Sequence, residues 1–199
     1  MKPQVYRSFI GIPVCGKVHQ ALDQWLNLRQ QLCQKHDIPP PIKERQIPAE
    51  NRHLTLHFLG DLTHQQRQTL HLNLQQHVTT QQAFDLELNQ LCHFPDAKSP
   101  ILAATCETTP ELKKLYSATT YAIQKAGLSR LMGSKAYRPH ITLIRAKGKA
   151  LPDENTLLET MEKSGICMPC NKVVLYQSTV TSTGSIYNEI KHYCLKSRL

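Results

Sequence analysis

Two short phrases carry the residue types best suited to chemistry: His53-Leu54-Thr55-Leu56 and His140-Ile141-Thr142-Leu143. Each is a histidine, an aliphatic residue, a threonine and a leucine. Both sit in strand-like runs, His53 to Leu59 and Tyr137 to Ile144. Side chains alternate between the faces of a strand. His53 and Thr55 therefore share one face, His140 and Thr142 share another, and the aliphatic partners pack the core. Two such strands brought together form a site with two imidazoles and two hydroxyls. One imidazole can act as general base and the other as general acid in an in-line displacement. Imidazole titrates near neutrality, so the two can hold opposite protonation states. Each proton transfer contributes on the order of 10²–10⁴-fold. Threonine hydroxyls can hydrogen-bond phosphate oxygens, where fixed donors stabilise developing charge. That is the logic of phosphodiester cleavage without a metal.

With ten histidines in the chain, one His-x-Thr-x alone would read as a polar strand face. The match of two phrases in type, alternation and context sets them apart. No carboxylate set or third histidine accompanies them, so no metal or other cofactor is expected. Cys167-Met168-Pro169-Cys170 has CxxC spacing but no second ligand pair, and reads as coincidental thiols. His64, His71 and His77 lie among glutamines on a solvated helix face. There is no glycine-rich phosphate loop, which argues against triphosphate hydrolysis.

The chain has 199 residues, 40% of them hydrophobic, enough for a proper core. Its net charge of +9 favours an anionic partner such as RNA, DNA, nucleotides or an acidic surface. No run of 18 apolar residues is present, so no membrane association is expected. The residues from Met1 to Ser8 lack a signal-peptide pattern. A cytoplasmic monomer with its seven cysteines reduced is expected.

The positioning elements follow from local signals. Ser8 to Ile12 reads as a strand, and Pro13 as the start of a helix with Val14, Val18, Leu22, Trp25, Leu28 and Leu32 inward. That helix stops near Asp37, before Pro39-Pro40-Pro41. Pro48 to Asn51 turns into the first motif. Thr63 caps a helix to His77, with Leu70 and Leu74 inward. Phe84 to Leu88 and Pro100 to Cys106 are strands. Pro110 opens a helix that Gly127 ends. Lys147-Gly148-Lys149 closes the second motif strand. A helix of about Glu154 to Lys163, a strand from Lys172 to Ser178, and a hairpin through Thr181 to Gly184 follow. The class is α+β. The recurring order of strand, helix, motif strand and helix suits two pseudo-symmetric antiparallel-sheet lobes with outer helices. They would form a single domain over 1–199, with one motif per lobe.

Arg138-Pro139-His140-Ile141-Thr142-Leu143-Ile144-Arg145 and His53-Leu54-Thr55-Leu56-His57-Phe58-Leu59-Gly60 resemble the paired motifs of the 2H phosphoesterase superfamily. Within it, the chain is most similar to the RNA 2′,3′-cyclic phosphodiesterases, also called 2′-5′ RNA ligases. Arg7 to Pro13, Glu50-Asn51-Arg52, Phe94-Pro95, Leu175 to Ser178, Gly184 and Tyr187 match other landmarks. The resemblance implies a bilobal fold with a central groove. It implies metal-free hydrolysis of an RNA 2′,3′-cyclic phosphate to a 2′-phosphomonoester. His53 would protonate the leaving 3′ oxygen and His140 would take a proton from water. Thr55 and Thr142 would hold the phosphate. Arg138 lies two residues before His140, so alternation puts it on that face as a clamp. Arg145 also matches the family, but alternation sends it the other way unless the strand ends or bulges. His57 should share the catalytic face. The family's two usual tryptophans are replaced here by Gln46-Ile47 and Leu102-Ala103-Ala104, which leaves Phe9 or Tyr137 to stack on a base or to fill core. Two other readings stand beside this one: joining of RNA halves through a 2′-5′ linkage at the same site, and a non-catalytic RNA- or nucleotide-binding module.

Overall fold

In the computed structural model, residues 4–39, 44–133, 136–146, 152–161, 164–182 and 184–198 are described. Pro40 and Pro41, the Lys147-Gly148-Lys149 closure and Lys163 lie outside them. The strands are β1 (Val5–Pro13), β2 (Arg45–Gln46), β3 (His53–Thr63), β4 (Phe84–His93), β5 (Ile101–Cys106), β6 (His140–Arg145), β7 (Ile166–Cys170), β8 (Lys172–Thr181) and β9 (Gly184–Cys194). The helices are α1 (Lys17–Lys35), α2 (His64–Val78), α3 (Pro110–Lys125) and α4 (Pro152–Thr160).

Local chemistry explains the helix ends. Thr63 accepts from the Gln66 backbone while the Gln66 side chain returns to the Thr63 N–H, a reciprocal capping box. Thr109 caps α3, and Pro110 occupies a first-turn position where its missing N–H costs nothing. Pro13 does not open α1. It ends β1, and Val14 N–H then bonds the Arg52 carbonyl, so extended pairing wins over helix until Gly16 turns the chain at φ 52°.

The strands form one curled antiparallel sheet in the order β7-β4-β5-β6-β3-β1-β8-β9, with β2 on β6. The α+β class and its lobes are as the sequence suggested. β1-α1-β3-α2 is answered by β5-α3-β6-α4, with β3 and β6 meeting in the middle. The hairpin β8–β9 returns to the half that holds β1, so that half contains both the first strand and the last. At the seam, Leu54 pairs with Ile141. Each directly follows a motif histidine and is fully buried. The main core lies beneath the helices and includes Ile10, Leu22, Leu70, Leu115 and Leu143. A smaller cluster of Phe9, Val174 and Tyr176, with Tyr187 against it, packs separately.

Both motif strands bulge at the same place. The β1–β3 register passes from Gly11↔Thr55 to Ile10↔His57, leaving Leu56 as the extra residue. The β5–β6 register passes from Ala103↔Thr142 to Leu102↔Ile144, leaving Leu143 extra. A bulge reverses the alternation beyond it. Leu56 and His57 are consequently both buried, as are Leu143 and Ile144, and Phe58 and Arg145 come out on the histidine face.

Candidate active site

A groove of about 340 Å³ lies over the seam, walled by His53 and Thr55 on one side and His140 and Thr142 on the other. The apolar seam residues hold both strands from below, so the alternating polar residues must face the groove. The His53 Nδ1 lies 2.8 Å from the Asn51 carbonyl oxygen, and the His140 Nδ1 lies 2.9 Å from that of Arg138. A carbonyl oxygen only accepts, so each Nδ1 carries its proton and each Nε2 is left for the groove. The two halves thus present the same ring tautomer by the same local device, a carbonyl two residues upstream.

Rings fix the imidazoles further. The His53 centroid is 4.6 Å from that of Phe9, and Tyr187 meets His53 edge-on at 5.1 Å. Phe94 stacks on His140 with centroids 3.8 Å apart. Burial lowers the His53 pKa to about 4, with His140 and Arg145 adding to the fall against the Asn51 carbonyl. Burial also lowers His140, aided by Arg145 and Arg138 and opposed by the Arg138 carbonyl. Arg7, Arg45 and Arg145 line the groove, and no carboxylate lines it among the described residues. Such a wall favours an anion, and neutral imidazoles beside it are poised to accept protons.

The arginines fall out opposite to simple alternation. Arg138 is not part of the groove wall. Its guanidinium donates to the Pro95 carbonyl at 2.8 Å and lies 4.8 Å over the Phe94 ring. Arg145 lines the groove because the Leu143 bulge turns it there. His57, expected on the catalytic face, is buried by the Leu56 bulge. Its Nε2 sits 3.1 Å from Thr119 Oγ1 and 3.2 Å from Thr120 Oγ1, and its ring stacks on Tyr116. Tyr137 is core, stacked on Tyr116 at 4.2 Å, whereas Phe9 walls the groove.

The sequence reading assigned no site role to Arg7, Arg45 or Phe58. Arg7 had a readable signal, since it lies two residues before Phe9 on one strand. Arg45 and Phe58 had none, because strand pairing and a bulge place them. Cys167 is exposed and Cys170 is buried on β7, three residues apart and so on opposite faces. Among the described residues, no group of three or more His, Cys, Asp or Glu is placed to hold a metal ion. No helix among them is long and apolar enough to cross a membrane.

Comparison with known proteins places this geometry. An RNA 2′,3′-cyclic phosphodiesterase of Aquifex aeolicus is 27% identical over 198 residues, spanning 96% of this chain and 98% of the relative. One of Thermotoga maritima is 30% identical over 143 residues, spanning 71% of this chain and 74% of the relative. Among solved structures, E. coli LigT in apo form superposes with a TM-score of 0.72 at 20% identity, covering 97% of this chain and 99% of that one. TT0787 of Thermus thermophilus gives 0.75 at 18%, covering 97% and 100%. These likenesses establish a shared fold. The model of the 2′-5′ RNA ligase superfamily matches residues 18–181, and the chain belongs to that family of 2H phosphoesterases.

Proposed function

We propose that the protein hydrolyses RNA 2′,3′-cyclic phosphate ends to 2′-phosphomonoesters, using the two imidazoles for both proton transfers and no metal ion. One observation carries this reading: two matched Nδ1-anchored histidines face one groove across the Leu54–Ile141 seam. The names of the Aquifex and Thermotoga relatives support the reaction.

In this mechanism the neutral His140 Nε2 takes a proton from water as the water oxygen attacks phosphorus. The bond from phosphorus to the 3′ oxygen breaks, and His53 Nε2–H protonates that oxygen. A 3′-hydroxyl and a 2′-phosphate result. Thr55 and Thr142 donate to the non-bridging oxygens, and Arg145 balances their charge. The acid and base roles follow the family resemblance, since the two anchors are equivalent.

The test is a short RNA ending in a 2′,3′-cyclic phosphate, incubated in EDTA, with product ends identified. The 2′-phosphate product is expected, with loss of at least 10²-fold in rate in His53→Ala or His140→Ala. Full activity in either variant overturns the reading. The family also bears the ligase name, and the same displacement with a 5′-hydroxyl in place of water would join RNA halves carrying cyclic phosphate and 5′-hydroxyl ends. Salt-sensitive RNA binding with no turnover would instead indicate a binding module.

A further inference from the structure

We propose that Arg45 is the anion-binding residue of a second nucleotide subsite, which takes the phosphodiester next to the terminal cyclic phosphate. This rests on the reading of the groove as a site for RNA ends, and it makes the substrate an oligonucleotide rather than a mononucleotide.

Arg45 belongs to two hollows at once. It lines the histidine groove, and it lines an adjoining hollow of about 280 Å³ between the lead-in to β3 and the β8–β9 hairpin. The adjoining hollow is lined by Gln46, Glu50, Ser185, Ile186 and Tyr187 among others. Tyr187 and Ile186 offer ring and aliphatic surface, and Gln46 and Ser185 offer hydrogen-bonding groups. Those are the surfaces a nucleoside meets. Glu50 is the acidic group there.

Arg45 is also directly opposite Arg145 in the β2–β6 pairing. Adjacent strands are roughly 4.8 Å apart. Two cations set one strand apart on the groove wall can hold two anionic groups in succession. Arg145 sits with the histidines at the reacting phosphate, and Arg45 lies one strand farther out.

The surrounding structure fixes Arg45. The residue before it, Glu44, makes a bidentate pair with buried Arg29 at 2.9 Å for both bonds. The residue two places after it, Ile47, donates to the Leu143 carbonyl at 2.7 Å. Gly184, at φ 146°, faces the guanidinium, and a Cβ at that position would collide with it. Asn51 then links the subsite to the chemistry. Its side chain donates to the Ser185 carbonyl at 3.0 Å, while its own carbonyl orients His53.

The test is equilibrium binding, which does not require turnover. Adenosine 2′-phosphate is compared with a diadenosine dinucleotide ending in a 2′-phosphate, by calorimetry at several salt concentrations. Wild-type protein is expected to bind the dinucleotide about tenfold more tightly. Arg45→Gln should remove that advantage by weakening the dinucleotide about tenfold more than the mononucleotide, and flatten the salt slope for the dinucleotide by about 0.7. Arg45→Lys should restore part of it, and Gly184→Ala should act like Arg45→Gln by displacing the guanidinium. Equal affinity of wild-type protein for the two ligands overturns the proposal. So does an Arg45→Gln loss that is equal for both, which marks a structural role. If the discrimination is found but cyclic phosphate is not hydrolysed, the subsite stands and the proposed reaction falls.

Discussion

Phe94 lies flat against His140, its ring 3.8 Å from the imidazole and inclined by 20°. Phe94 is the first residue after β4, and its N–H bonds the Ile101 carbonyl at 2.8 Å. A hydrophobic ring thus sets the angle of a polar one. Phe94→Ala should lower kcat about tenfold while KM changes less than twofold, because the imidazole loses its fixed orientation. Steady-state kinetics on a cyclic-phosphate RNA would show this. A change in KM alone would place Phe94 in substrate binding instead.

The two flanking arginines should separate cleanly. Arg145→Ala should reduce kcat/KM by about 10²-fold, since it removes a charged donor from the groove wall. Arg138→Ala should cost less than about tenfold, through loosening of Phe94 and the Pro95 carbonyl. The reverse order of effects would show that Arg138 swings into the groove when substrate is bound.

Both histidine pKa values lie below 6.5 in the free protein. A reaction needing one imidazole charged and one neutral rises through the lower value and falls through the upper. The kcat/KM profile should therefore peak on the acid side of 6.5, with one limb near 4. An optimum above about pH 7 would mean that the groove holds the imidazoles less deeply than their burial indicates.

His57 shapes stability rather than rate. Burial lowers its pKa to about 4, so between 6.5 and 4 the unfolded chain binds a proton that the folded chain refuses. Stability should fall over that window as pH falls, by on the order of 3 kcal/mol for this residue. His57→Gln, which retains a partner for Thr119 and Thr120, should flatten the decline. Urea unfolding at a series of pH values measures it. An unchanged slope would assign the acid sensitivity to other histidines.

Glu154 is fully buried between Arg29, at 2.6 Å, and His93, whose Nε2 is 3.2 Å from its second oxygen. Burial alone would raise its pKa, but His93 and Arg29 outweigh that and hold it below the usual carboxylate value. Glu154→Ala strands two partners in the interior and should cost about 3 kcal/mol. A loss under about 1 kcal/mol would show that Glu44 alone satisfies Arg29.

Alternation made much of this site readable in the chain. His53, Thr55, His140 and Thr142 were legible because each phrase is short and period two holds across it. Beyond the fourth residue the same rule misdirects, sending Arg145 and Phe58 away from the groove and His57 into it. The cause is the extra residue at Leu56 and at Leu143, which only pairing with β1 and β5 reveals. Pro13 failed for a related reason. A residue suited to a helix start was claimed by a strand, through the bond that its neighbour Val14 makes to Arg52, 38 positions later. Arg138 lies two residues before β6, and the ring that captures its guanidinium comes from the Phe94 turn, far away in sequence.

The closure of the sheet has a consequence for biosynthesis. Phe9, which braces His53, pairs with Tyr176, so the first strand and the last hairpin complete that half together. The half bearing His140 is built from the middle of the chain and can close while synthesis is under way. β1 can pair with β3 early, but its other edge must wait for β8, across most of the polypeptide. Of the two motif histidines, the one made first is therefore the last to be seated, and a ribosome-bound chain short of the β8–β9 hairpin carries one finished half-site facing an unfinished one.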